Sequence, residues 1–255
     1  MTESKYFHDN SEKFASILDA AVSVSAQTAG RMAERRVGWC TRIFARACAT
    51  GHSIRRLLIP VRGDYGTTID HASIGSLARG IVEADILISY LSENGVSDIE
   101  WECRTLIFHI HDCAARVRLF KGLKQEDEHR KNSETLAELR QRIGENARFK
   151  QLPSDAQQKA LAGSLIYING LRSAAEVAGW NKGVFDGLYN YLSMQSHSAP
   201  MSFYRMDDRG IDHKNIAPFQ YYFAGLALEL SSNSLRLATE RVRRLFPDIS
   251  DSATA

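Results

Sequence analysis

The stretch S-I-G-S-L-A-R-G-I-V-E-A-D-I-L-I-S-Y-L, from Ser73 to Leu91, decides the fold. Leu77, Ile81, Ala84, Ile88 and Leu91 recur every three or four positions, the period of an α-helix. Ile86 and Tyr90 lie on the opposite side, so the helix is apolar on both faces and is expected to be central. Arg79 and Glu83 fall on that second side, four residues apart. Charges on a buried face need each other or further polar partners, because an unpaired buried charge is very costly. Two readings stand for the pair: a structural ion pair that sets helix register, or part of a functional site.

The same period runs outward in both directions. Towards the N-terminus it covers Ser11 to about Ala49, with a break expected near Gly38, before a loop at Pro60–Gly66. Beyond Leu91, Ser97 and Glu100 form a capping-box pattern that starts a helix at Asp98, with Ile99, Cys103, Leu106, Ile110, Cys113 and Val117 as its stripe. A more polar helix is expected within 121–150, on the stripe Leu136, Leu139 and Ile143, with Glu138 and Arg142 paired at helical spacing. Ser154 and Gln157 repeat the capping signal, and a further helix runs from about Val184 to His197. Residues 199–217 show no period and read as a loop. A last helix starts at Pro218, a favoured first position, and carries Arg241, Arg243 and Arg244 at its negative end before Pro247. The polar run Ser231–Ser234 is expected to bend it.

The expected fold is all-α, a multi-helix bundle with no significant β-sheet. It is read as one domain over 1–255: N-terminal helices in 1–66, a core bundle in 67–200, and a loop and C-terminal helix in 201–255. Hydrophobic residues at 44% and charged residues at 24% are ordinary for a globular chain and exclude general disorder. The net charge of +2 names no partner. Cys40, Cys48, Cys103 and Cys113 form no Cys-x-x-Cys pair and read as packed free thiols. Met1 to Asp9 is polar, and no apolar run approaches the roughly 18 residues that span a bilayer, so a cytoplasmic protein without membrane contact is expected.

Tyr189, Ser193, Ser196 and His197 lie within about a third of the circumference of their helix, beside the apolar face of Phe185, Leu188 and Leu192. A histidine near serines can move protons near neutral pH. A satisfied histidine at a helix C-terminus is the plainer alternative.

The segments S-L-A-R-G-I-V-E-A (Ser76–Ala84) and L-Y-N-Y-L-S-M-Q-S-H-S-A-P (Leu188–Pro200) resemble a family of uncharacterised bacterial helical proteins. That family pairs Arg-x-x-x-Glu with a later Tyr-x-x-x-Ser-x-x-x-His, and the resemblance covers roughly residues 70–200. More distantly the pattern is similar to the helical HEPN superfamily, whose dimeric ribonucleases serve defence and toxin systems. Their motif places an arginine four to six residues before a histidine. Here Tyr191, Leu192 and Ser193 precede His197, with no arginine in reach, and Arg79 would have to supply the cation from another helix.

Between Arg31 and Arg62 stand eight arginines and one acidic residue, Glu34. On one continuous helix Arg31, Arg35, Arg42 and Arg46 would share a stripe opposite Val37, Cys40, Phe44 and Ala47. Such a stripe suits either phosphates or plain solvent. Other chemistries are set aside. His109 and His111 point about 200° apart on a helix, and Glu126-x-x-His129 has no second copy. Phosphate-loop, dinucleotide-binding and nucleophile-elbow motifs are missing. No metal and no cofactor is expected.

Two functions follow. The first is a helical interaction or ligand-binding module, a regulatory or defence-system component, with Arg79, Glu83, Tyr189, Ser193, Ser196 and His197 shaping a pocket or a homodimer surface. The alternative is an HEPN-like, metal-independent ribonuclease, in which His197 does acid–base work and Arg79 stabilises phosphate charge, with Glu83 and Ser193 beside them.

Overall fold

The computed structural model describes residues 2–63, 66–196, 200, 207–211 and 214–249. It is 78% helical, so helix packing builds the cores. The described helices are α1 (Glu3–Thr28), α2 (Arg35–Leu57), α3 (His71–Leu91), α4 (Asp98–Gly122), α5 (Glu126–Glu145), α6 (Ala147–Lys150), α7 (Ser154–Leu161), α8 (Gly170–Val177), α9 (Lys182–Ser196) and α10 (Pro218–Leu245). Two three-residue strands, β1 (Val61–Gly63) and β2 (Gly66–Thr68), pair antiparallel within the region read as a loop, with Val61 opposite Thr68. Of the expected loop at 199–217, residues 200, 207–211 and 214–217 are described, and Asp207–Arg209 form a 3-10 turn. The remainder of that loop lies outside the described residues.

The chain divides into two compact units. One comprises Met1–Ser92 and Ala175–Ala255, the other Glu93–Ala174, so residues 67–200 contribute to both. In the first unit α3 is central and packs against α2, α9 and α10, while α1 lies along α10 and α2. Phe14, Leu18, Phe44, Ile81, Ile86 and Phe223 are fully buried there. Each such side chain contributes on the order of 1.5–3 kcal/mol relative to an exposed one. The apolar pattern on two sides of Ser73–Leu91 is thus explained by neighbours on three sides.

The second unit packs α4 against α5, α6 and α7. Its core joins Cys103, Leu106, Ile107 and Ile110 to Leu136, Leu139, Ile143 and Phe149. Ser97 caps α4 by accepting a hydrogen bond from the Glu100 amide at 3.3 Å, as the capping pattern predicts. The second capping pattern works differently. Pro153, not Ser154, precedes α7, and the Gln157 side-chain Nε2 donates to the Leu152 carbonyl at 2.8 Å. Arg142 lies 3.9 Å from Glu102 on α4, a partner distant in sequence.

The N-terminal break falls at residues 29–34, not at Gly38. Gly30 adopts φ 72°, a left-handed conformation that ends α1 at little cost for a residue without Cβ. Gly38 lies inside α2. The serine run Ser231–Ser234 lies within one unbroken helix, α10, and Ser231 donates to the Ala227 carbonyl at 2.8 Å. All four cysteines are free and buried. Burial pushes the Cys40 thiol up to about 12 and those of Cys48 and Cys103 to about 11, which leaves them inert near neutral pH.

Candidate functional site: the seam between helices α3 and α9

Helices α3 and α9 run antiparallel along their seam. Tyr189 near the middle of α9 meets Arg79 and Glu83, while Gln195 near its end lies beside Gly75, one turn earlier on α3. Gly75 permits this close approach. A Cβ there would stand 3.0 Å from Phe223 Cε1 and 3.6 Å from Gln195 Cγ.

At the centre of the seam three side chains close a ring. Arg79 Nε donates to Glu83 Oε1 at 2.9 Å, and its Nη2 donates to the Tyr189 hydroxyl at 2.9 Å. The same hydroxyl donates to Glu83 Oε1 at 2.6 Å. The guanidinium also lies 4.8 Å from the Tyr189 ring centroid, within cation–π range. Phe185 also stacks with that ring, at 5.0 Å between centroids. Burial pushes the Tyr189 hydroxyl pKa up, and the Glu83 carboxylate adds to this. Burial also works against the Arg79 charge, but Glu83 and then Tyr189 outweigh it and hold the guanidinium more firmly protonated than usual.

The Arg79 side chain remains 23% exposed and that of Glu83 40%. The pair therefore sits at a rim, not on the buried face that the apolar pattern implies. Tyr189 reaches across from α9 to close the ring.

The other sequence-derived residues are placed less fully. Ser193 is half-buried one turn beyond Tyr189 and makes no hydrogen bond to Arg79 or Glu83. Ser196 ends α9, and His197 lies outside the described residues. Arg35, Arg42 and Arg46 are exposed on α2. Arg31 does not continue their stripe: it precedes α2, pairs with Asp248 at 2.8 Å and lies 4.8 Å from the Phe246 ring centroid. The turn at Gly30 breaks the single helix on which that stripe depended.

A second charged pair was missed from sequence. Asp85 is fully buried on α3 and accepts a very short hydrogen bond from Arg241 Nη1 on α10, whose Nη2 donates to the Ala178 carbonyl at 2.8 Å. Arg241 thus serves a carboxylate in the core and not only the dipole of its own helix. Asp85 Oδ2 has no hydrogen-bond partner. Burial pushes the carboxyl up to about 7 even though Arg241 pulls it down. The signal available in sequence was an aspartate within the apolar run A-D-I-L-I.

These features define an all-α protein whose first unit carries a partly exposed Arg–Glu–Tyr ring on the α3–α9 seam and a buried Asp–Arg pair between α3 and α10. The profile of the DUF5677 family, a family of unknown function, matches residues 38–214, and the chain belongs to that family. The matched span includes Arg79, Glu83 and Tyr189 but ends before Arg241. No curated protein and no solved structure matches the chain. Among the described residues no helix is long and apolar enough to cross a membrane.

Proposed function

We propose that this protein is an interaction module in which the Arg79–Glu83–Tyr189 ring anchors a partner, the first candidate being a second copy of the chain. The observation that carries this reading is the fixed yet accessible guanidinium. It is held by two hydrogen bonds and an aromatic face while 23% of the side chain faces solvent. An arginine already ordered loses little entropy on binding, and arginine and tyrosine dominate interface hot spots. A regulatory or defence-system role fits such a module.

The ribonuclease reading asks Arg79 to stabilise phosphate charge for His197. Glu83, 2.9 Å from Arg79 Nε, weakens that case because its negative charge offsets the cation where phosphate would sit.

Sedimentation equilibrium of the wild type and Arg79→Ala, paired with an RNA cleavage assay, tests the proposal. A concentration-dependent dimer that Arg79→Ala dissociates, without metal-independent cleavage, is the expected result. A wild type that stays monomeric overturns self-association. Cleavage lost in both His197→Ala and Arg79→Ala moves the function to the nuclease alternative.

A further inference from the structure

Helix α2 differs from the other helices in charge. It holds six arginines and no aspartate or glutamate, whereas every other described helix longer than α6 carries both signs. The six sort by position. Arg36 and Arg55 are paired, with Glu34 at 3.3 Å and with Asp19 at 2.8 Å. Arg35, Arg42, Arg46 and Arg56 are exposed and make no ion pair among the described residues.

At about 100° per residue, these four unpaired arginines fall within about 80° of the helix circumference. Arg36 and Arg55 fall outside that arc. The buried residues Cys40, Phe44, Ala47 and Gly51 lie on the opposite side. Gly38, Ala49 and Ser53 are the other positions on the arc, and a Cβ at Gly38 would meet no atom within 4 Å. The outer face of α2 is thus a bare line of guanidinium groups about 32 Å long, with no bulky side chain between them.

This arrangement weakens the helix that carries it. Arg42 and Arg46 stand four residues apart, a like-charged spacing that is unfavourable on a helix. Arg35 stands in the first turn, at the positive end of the dipole, where no acidic residue lies and Glu34 makes no side-chain cap. A polyanion laid along the face relieves both costs. Arginine pairs with phosphate through two parallel hydrogen bonds, and a duplex presents phosphate charges along its whole length. The arc has no aromatic residue on which the bases of a single strand could stack, and no bulky apolar residue to enter a lipid surface. The exposed Met32 and Ile59 lie beyond the two ends of α2. We propose that the outer face of α2 docks double-stranded nucleic acid through its phosphates, without regard to sequence. This surface goes beyond the interaction reading above and uses neither Arg79, Glu83 nor Tyr189.

The test is fluorescence anisotropy of a labelled mixed-sequence duplex titrated with the full chain at several salt concentrations. Four phosphate contacts set a slope of about −3.6 for log affinity against log salt, a loss of about a hundredfold between about 50 and 200 mM. Arg42→Ala and Arg46→Ala should each lessen the slope by about 0.9 while leaving the melting temperature unaltered. Arg55→Ala, off the arc and already paired, should leave the slope as it is. Arg79→Ala should bind the duplex as the wild type does, so that failure here and failure of self-association are read separately. Absence of binding at the lowest salt overturns the proposal. So does a slope lessened equally by Arg55→Ala, which would mean that diffuse net charge and not the stripe holds the duplex. Displacement of the duplex by phosphatidylserine vesicles at equal charge would assign the face to a lipid surface and overturns it as well.

Discussion

Arg79 and Asp85 stand six positions apart on α3, and each is paired with an opposite charge, yet the two pairs sit in different dielectric settings. Arg79 meets Glu83 at a rim where water still reaches both, and a tyrosine hydroxyl completes the hydrogen bonding. Asp85 is withdrawn fully from water, Arg241 is 13% exposed, and one carboxylate oxygen goes without a partner. The first arrangement costs little to form and stays available to a partner. The second carries a desolvation penalty that its ion pair does not fully offset, and it joins α3 to α10. Position relative to the helix neighbours, not the kind of charge, separates an accessible cluster from a structural one.

Removing the buried cation should break the comparison most sharply. Arg241→Ala should cost on the order of 3–5 kcal/mol at pH 9, where Asp85 would be left ionised and uncompensated. Below pH 7 the loss should shrink, because the carboxyl can take up a proton instead. Denaturant unfolding at the two pH values measures this, and a loss independent of pH would rule out the linkage.

The wild type should show the same carboxyl in its own pH dependence. Burial raises it from an ordinary value of 3.8 to about 7, so between these limits the folded chain holds a proton that the unfolded chain releases. The stability contributed by neutral Asp85 is therefore fully present below pH 3.8 and lost as pH rises through 7. Asp85→Asn should flatten that part of the stability profile. An unchanged slope in this variant would assign the effect elsewhere.

At the rim the effects should be smaller. Arg79→Ala is expected to cost about 1 kcal/mol, since exposure screens the pair and Tyr189 can still donate to Glu83. Raising salt should reduce this cost while leaving that of Arg241→Ala nearly unchanged. A loss as large as that of Arg241→Ala would place the ring among the structural pairs.

Least of all should change on α2. Arg42→Ala and Arg46→Ala should leave the melting temperature unaltered, because both side chains are exposed. Any nucleic-acid binding they support should be weak and fall steeply with salt, which titrations at two salt concentrations would check. Salt-insensitive binding would locate the interface elsewhere.

Much of this architecture is legible in the residues alone. The period of Ser73–Leu91, the Ser97 cap and Pro218 at the start of α10 are local signals, and backbone hydrogen bonding within a few residues enforces them. The same locality makes Arg79 and Glu83 readable as a pair. It leaves open which of two glycines carries the positive φ, since Gly30 and Gly38 look alike until α1 and α2 are placed. It also leaves open whether Arg79 is buried, because burial depends on what covers the α3 face. Tertiary packing alone brings Tyr189 to Arg79 across 110 residues, and Arg241 to Asp85 across 156. Helices follow from short-range periodicity, whereas the charge environment follows from which faces meet.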